Sequence, residues 1–199
     1  MVSRNLPEIW LVSRDDALLD AWRHHFDAIP GIKIVGCRDV RDVIPQCRTI
    51  VSPAQSFGVM DGGIDMAYTK FFGWNLQERL REIIQAQYYG ELHVGQSCVV
   101  QIDTETALLS APTMRVPQLV GKTTNAYIAF RAILIACLEH HLRGPVLVPG
   151  LCTGVGRMDF THCAHQMRLA WDSIHRSTVM NLGEATRSEL RLLDRRFDE

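Results

Sequence analysis

Strand-like and helix-like patterns alternate along the whole chain, and this alternation is the feature that most constrains its fold. Short apolar runs predict six strands, at residues 9–12, 32–35, 49–51, 98–102, 107–109 and 146–148. Apolar residues at helical spacing predict helices over residues 15–29, 64–84, 126–138, 160–174 and, with a charged pattern, 184–197. Strands that alternate with helices favour a sheet covered on both faces. We therefore predict an α/β fold, a three-layer α/β/α sandwich.

The length and the absence of internal boundaries favour a single domain over residues 1–199. A chain of 199 residues fits one domain with its own hydrophobic core. It contains no Pro- or Ser-rich linker and no internal repeat.

The N-terminus and the cysteines predict an intracellular, cytoplasmic protein. Residues 1–12 lack the apolar region and the cleavage site of a signal peptide. The longest apolar stretch, 126–138, contains Arg131 and is too short to span a bilayer. The six cysteines form no C-x-x-C pair and mostly lie in apolar runs, which favours buried reduced thiols.

Charge gives no signal for nucleic acid or for an anionic membrane. Lys and Arg total 21 against 22 Asp and Glu, a formal net charge of -1. The pattern favours a solvated helix face for the C-terminal arginines, with a local basic patch as the alternative; they are Arg187, Arg191, Arg195 and Arg196.

Two segments share one design, an apolar strand followed by a glycine-containing loop and a helix. They are residues 49–65 (TIVSPAQSFGVMDGGID) and residues 146–158 (VLVPGLCTGVGRM). Ligands of open α/β sheets bind at the carboxyl ends of the strands, and backbone N–H groups there can hold an anion. Each loop alone is also compatible with ordinary turn geometry, and neither matches a P-loop. Side by side, the two could grip a diphosphate.

Together the two loops resemble those of the macro domain family. Ser52-Pro53-Ala54-Gln55, a short spacer and Asp61-Gly62-Gly63-Ile64-Asp65 follow the pattern of the family's first loop. Cys152-Thr153-Gly154-Val155-Gly156, after a strand that ends in proline, is similar to its second loop. The likeness extends over about residues 32–174 and implies a mixed sheet of about six strands between helices.

The resemblance implies recognition of ADP-ribose, free or attached to a protein. The first loop would wrap the distal ribose and the second would hold the diphosphate through backbone amides. Arg157 would either pair with a phosphate or face solvent. Asp39, after the second strand, would accept a hydrogen bond from the adenine amino group, or serve only as a turn residue. The ribose and phosphate contacts would come from Ser52, Ala54, Gly62, Gly63, Ile64, Thr153, Gly154, Val155 and Gly156.

Asp65 and Gln55 are the candidate catalytic residues. In hydrolytic members an acid at the position of Asp65 helps to orient or activate water beside the distal ribose, and it could act as a general base. An Asp in the first turn of a helix also simply favours the helix dipole. Gln55 replaces the usual Asn with a side chain one methylene longer, and Ser52 replaces the family's first Asn. These departures leave binding expected and turnover open.

Other reactive side chains point to ordinary structural roles. Cys152 at the second loop lacks an evident His partner for nucleophilic catalysis. His162 and His165 are three residues apart on a helix, but no fourth metal ligand is apparent, and we interpret them as surface histidines. No metal and no cofactor is predicted.

Four functions therefore remain as hypotheses. The first is binding of ADP-ribose or ADP-ribosyl groups, and the second adds hydrolysis of ADP-ribosyl–protein bonds or ADP-ribose derivatives. The third is a degenerate macro fold that acts as a non-catalytic structural or interaction module. The fourth is an unrelated Rossmann-like nucleotide binder.

Overall fold

The computed structural model describes residues 5–193, which form a mixed six-stranded sheet between helices. The sheet order is β2-β1-β6-β3-β5-β4, and only the β4–β5 pair is antiparallel. All six predicted strands are confirmed, as is the α/β class. Their bounds are β1 (Ile9–Ser13), β2 (Ile32–Gly36), β3 (Thr49–Ser52), β4 (Cys98–Gln101), β5 (Ala107–Ser110) and β6 (Val146–Pro149).

The helices cover both faces of the sheet, with short 3₁₀ turns at Val40–Asp42 and Ile44–Gln46. Asp15 caps the first helix by accepting a hydrogen bond from the backbone N–H of Ala17 at 3.1 Å. The helices are α1 (Asp16–Phe26), α2 (Gly63–Phe72), α3 (Asn75–Tyr88), α4 (Asn125–Glu139), α5 (Phe160–Ile174) and α6 (Leu182–Leu193).

The single helix predicted over residues 64–84 is two helices. Gly73 has a φ of 95°, which a right-handed helix does not allow, and it ends α2. The chain turns there and α3 begins at Asn75. Apolar periodicity continues across the break because both helices pack on the same core cluster.

Each face of the sheet carries its own hydrophobic core. Side chains alternate along β3, so that Ile50 packs with α2 and α3 while Val51 packs with α1, α4 and α5. Both cores include fully buried side chains, for example Trp22 on one face and Tyr68 on the other. This two-sided burial explains why the strands read as continuous apolar runs.

The C-terminal part of the chain agrees with its predicted helix as far as the structure describes it. Helix α6 begins two residues before the predicted start at Glu184 and extends to Leu193. The remainder of the predicted helix, with Arg195 and Arg196, lies outside the described residues. Within residues 5–193, no helix is both long and apolar enough to cross a membrane.

Candidate functional site

The two glycine loops meet at one cleft. Strands β3 and β6 are hydrogen-bonded neighbours in the sheet, so the loops that follow them leave the same edge side by side. The cleft has a volume of about 890 Å³ and also takes residues from the ends of β1 and β2. The arrangement is that of a ligand site at the carboxyl ends of parallel strands.

Most of the predicted site residues line this cleft. Ser52 and Arg157 do not: Ser52 is fully buried beneath the cleft, and Arg157 is exposed outside its wall. Of the two alternatives for Arg157, this placement favours the solvent-facing one. The residues that line the cleft are Asp39, Ala54, Gln55, Gly62, Gly63, Ile64, Asp65, Thr153, Gly154, Val155 and Gly156.

The glycines of the two loops fall into two kinds. At Gly62, Gly63 and Gly154 an added Cβ would meet no protein atom within 4 Å, so these positions leave the cleft open. At Gly156, in contrast, it would lie 2.5 Å from the carbonyl oxygen of Cys152. Of these cleft-lining glycines, packing therefore requires Gly156 and does not require Gly62, Gly63 or Gly154.

The second loop is held by hydrogen bonds that leave its middle amides free. The backbone N–H of Met158 donates to the Cys152 carbonyl at 3.0 Å, and that of Arg157 donates to the Gly154 carbonyl at 3.1 Å. Among residues 5–193, the N–H groups of 153–156 have no hydrogen-bond acceptor. Consecutive free amides on a fixed loop form a site for an anion.

Asp65 is a buried carboxyl group in the wall of the cleft. It lies in the first turn of α2 and is 7% exposed. Burial raises the pKa of Asp65 from 3.8 to about 7, and the nearby Ser52 hydroxyl opposes this rise. Asp65 Oδ1 and Ser52 Oγ nevertheless have no hydrogen-bond partner of ordinary geometry within the described chain, so their mutual contact is weak. The group is poised to exchange a proton near neutral pH.

Gln55 is fixed by its own loop and by the segment after β5. Its Oε1 accepts a hydrogen bond from the backbone N–H of Phe57 at 2.6 Å. Its backbone pairs with Met114, and the Thr113 hydroxyl donates to the Pro53 carbonyl at 2.9 Å. Asn125, at the start of α4, donates in turn to the Thr113 carbonyl. The carbonyl oxygen of the Gln55 side chain is thus committed to the loop, which leaves its amide NH₂ as the donor for a ligand.

Asp39 lines the opposite end of the cleft and is engaged by Arg41. Its carboxylate accepts from the Arg41 backbone N–H at 2.9 Å and from the Arg41 guanidinium through both oxygens. These hydrogen bonds lower the pKa of Asp39 to about 2. The sequence did not reveal this pair.

Cys152 is a buried thiol whose surroundings disfavour the nucleophilic thiolate. Although it contributes to the cleft wall, burial raises its pKa to about 12, so the thiolate is scarce at neutral pH.

The interpretation of His162 as a surface residue is wrong. His162 is 3% exposed, and its Nε2 lies 2.9 Å from Gln166 Nε2 on the buried side of α5. His165 packs near the ring of His25. No group of three His, Cys, Asp or Glu side chains in the described part of the chain is arranged to hold a metal ion.

The structure adds cationic residues that the loop motifs did not indicate. Arg14 follows β1 and Arg38 follows β2, and both line the cleft near Asp39. Lys70, on α2, lines the end near Asp65. The rule that ligand groups follow the ends of parallel strands would have selected Arg14 and Arg38, because β1 and β2 end at this same edge.

These features define a class of protein, an α/β sandwich with a glycine-lined cleft between two strand–loop–helix units. The family model described as Macro domain matches residues 51–167. This match covers more than half of the chain and includes both glycine loops, Gln55 and Asp65. The chain therefore belongs to the macro domain family.

Solved structures agree with that assignment at the level of the fold. The macrodomain of Mycobacterium tuberculosis DarG is 19% identical, with a TM-score of 0.53 over 64% of this chain and 83% of that one. A mutant Oceanobacillus iheyensis macrodomain with ADPR is 17% identical, with a TM-score of 0.55 over 63% and 69%.

A third similar structure covers more of this chain. Thermosipho africanus DarTG in complex with ADP-ribose is 12% identical, with a TM-score of 0.55 over 92% of this chain and 57% of that one. Identities this low support a shared fold and no more. No curated protein matches the sequence.

Proposed function

We propose that this protein binds ADP-ribose or ADP-ribosyl groups in the cleft. The observation that carries the proposal is the run of amides at residues 153–156, which line the cleft without an acceptor. A diphosphate supplies the oxygens that such amides require. The ADP-ribose and ADPR in the similar macrodomain structures support the same ligand class.

The order of the strands indicates where the other parts of the ligand would lie. Across the edge of the sheet, Asp39 follows β2, the amides of 153–156 follow β6, and Asp65 follows β3. An extended ligand would then have its adenine at Asp39, its diphosphate at the second loop, and its distal ribose near Asp65 and Gln55. The open glycines Gly62 and Gly63 allow the ribose to approach the backbone closely.

Titration calorimetry with ADP-ribose tests this proposal. We expect saturable binding by the wild type and a loss of at least about tenfold in Gly154→Val, because its Cβ meets no protein atom within 4 Å and the side chain would occupy ligand space. Gly183→Val, at an exposed glycine of α6 outside the cleft, is the matched control. Absence of heat at about 1 mM ADP-ribose would overturn the proposal.

Hydrolysis is the second candidate, and Asp65 is the observation that favours it. A carboxyl group with a pKa of about 7 in a cleft wall is suited to general acid–base catalysis at neutral pH. The reaction would add water across the ester that joins the distal ribose to an acidic side chain. It would release ADP-ribose and restore the carboxyl group of the modified protein.

Release from ester-linked ADP-ribosylated protein distinguishes the candidates. Wild type should release ADP-ribose, and Asp65→Asn, which keeps the shape of the side chain, should lose release while it retains binding. Background release by the wild type together with normal binding would favour the non-catalytic module. Tighter binding of NAD than of ADP-ribose would instead favour a general nucleotide binder.

A further inference from the structure

A small group of buried polar side chains lies beneath the cleft floor. It consists of Ser52 on β3, Ser110 on β5, and Asp65 and Tyr68 on α2, which we call the polar island. The two serines and Tyr68 are fully buried, and Asp65 is 7% exposed. Apolar residues of the α2–α3 core surround them, including Met60 and Leu92.

The backbone places the four side chains on one side of the sheet. Ser52 and Ser110 are register partners on adjacent parallel strands, about 4.8 Å apart. They share a face with Ile50 and Leu108, which belong to the same core cluster as Tyr68.

Helix α2 brings the other two groups to the same place. Asp65 and Tyr68 are three residues apart and so lie on one face of the helix. The Ser52 hydroxyl lowers the pKa of Asp65, and the Asp65 charge raises that of Tyr68. Both effects require the groups to be close to one another.

Each member of the polar island has a buried polar atom without a protein partner. Ser52 Oγ, Ser110 Oγ, Asp65 Oδ1 and Tyr68 Oη make no hydrogen bond within residues 5–193. An unsatisfied buried polar atom is unfavourable, because it loses its hydrogen bonds to solvent, and native proteins often satisfy such atoms with ordered water. Native structures leave few buried polar atoms without a hydrogen bond, so four such oxygens close together require an explanation.

We propose that the polar island holds internal water that links the Asp65 carboxyl group to Ser110 and Tyr68. A buried water typically makes about three hydrogen bonds, and the island offers hydroxyl donors together with carboxylate and hydroxyl acceptors. Ser52, Ser110 and Tyr68 then act as positioning residues that set the protonation of Asp65 from below. The inference concerns the free protein and holds whether or not ADP-ribose is its ligand.

The surroundings of Asp65 on the core side carry no charge, which makes the carboxyl group sensitive to this water. The other titratable groups near the island are the thiols of Cys37 and Cys47, and burial raises the pKa of each, so both are neutral. Cys98, the register partner of Ser110 on β4, is neutral for the same reason. On the cleft side, Asp61 and Lys70 line the wall. Among the described residues, the Ser52 hydroxyl is the group that lowers the pKa of Asp65, so a water on the core side would add support for its charged form.

Carboxyl-carbon NMR of the ligand-free protein measures the pKa of Asp65 directly. Ser110→Ala is the sharpest variant, because Ser110 makes no hydrogen bond to Asp65 and the proposed water would link the two. We expect Ser110→Ala and Tyr68→Phe each to raise the pKa of Asp65 by about one unit, since each removes support for the charged form. Ser56→Ala is the control, because Ser56 is also buried and without a partner but lies in the first loop beyond β3.

A crystal structure at about 1.2 Å resolution provides the second measurement. It should show water density within hydrogen-bond distance of Ser52 Oγ or Ser110 Oγ and of Asp65 or Tyr68. Density absent from the island would overturn the inference, as would an Asp65 pKa that is the same in Ser110→Ala and the wild type. An equal shift in Ser56→Ala would also overturn it.

Discussion

Asp39 and Arg41 form a bidentate ion pair at the end of the cleft where the adenine is expected. Both carboxylate oxygens of Asp39 already accept hydrogen bonds from Arg41. An adenine amino group would therefore compete with the protein's own guanidinium for the same acceptor. Recognition of the base at this site would replace hydrogen bonds between Asp39 and Arg41 with hydrogen bonds between Asp39 and the adenine amino group.

Base selectivity tests this exchange. Asp39→Ala should lower the affinity for ADP-ribose toward that for inosine diphosphate ribose, which lacks the amino donor, with a change of about tenfold in selectivity. Arg41→Ala should keep or increase the selectivity, because it leaves the Asp39 acceptors free. Calorimetry with the two ligands measures both effects. Unchanged selectivity in Asp39→Ala would show that the residue is only a turn residue.

The stability of the protein should fall as pH rises from about 4 to 7 because of Asp65. Its pKa is raised from 3.8 to about 7, so the native state keeps a proton that the unfolded state has lost. Below about pH 4 both states are protonated, and above pH 7 both are ionised, so the loss is confined to that window. The penalty at high pH is roughly 4 kcal/mol, because each pKa unit corresponds to about 1.4 kcal/mol.

Denaturant unfolding of Asp65→Asn checks this pH dependence. The variant should match the wild type near pH 4 and be more stable by up to roughly 4 kcal/mol at about pH 8. Asp61→Asn, at an exposed acid of the same loop, is the matched control and should follow the wild-type profile. Parallel curves for Asp65→Asn and the wild type would contradict a raised pKa.

Substitutions at Gly154 and Gly156 should differ in their effect on stability. Gly156→Ala places a Cβ 2.5 Å from the Cys152 carbonyl oxygen and 2.6 Å from Val120, so it should destabilise the protein by about 1–3 kcal/mol. Gly154→Ala meets nothing within 4 Å and should leave the melting temperature unchanged. Thermal unfolding of the pair measures the contrast, and equal melting temperatures would argue against the described loop packing.

Gln166 should hold α6 and the start of α4 against α5. Its side chain is fully buried, accepts from the Tyr127 N–H, and donates to the carbonyls of Thr123 and Leu192. Gln166→Met keeps the volume but leaves these groups unpaired, which should cost about 2–3 kcal/mol. Urea unfolding measures the loss, and amide exchange should quicken in α6. Gln85→Met on the exposed face of α3 is the control, and similar exchange in both variants would contradict this role.

Local patterns predicted the elements more accurately than their boundaries and contacts. The strand around Ile50 and the helix over Phe160–Ile174 follow from apolar periodicity, because burial imposes the period of each element on its sequence. The break at Gly73 was missed because the apolar pattern is helical on both sides of it, and the pattern does not reveal one residue with a positive φ. The burial of His162 was missed because it depends on a polar contact with the buried side chain of Gln166, which local patterns do not show.

The sequence by itself determined the α/β class, the six strands and the two glycine loops, since these depend on neighbouring residues and their hydrophobic spacing. Only the tertiary structure decided which loop atoms face the cleft. It also decided that Arg41 donates hydrogen bonds to the Asp39 carboxylate and that Ser110 lies beside Ser52. Those relationships join residues from separate strands and helices, and they are fixed by sheet order and register. A pKa near 7 for Asp65 arises in the same way, because desolvation depends on what packs around a carboxyl group and not on its neighbours along the chain.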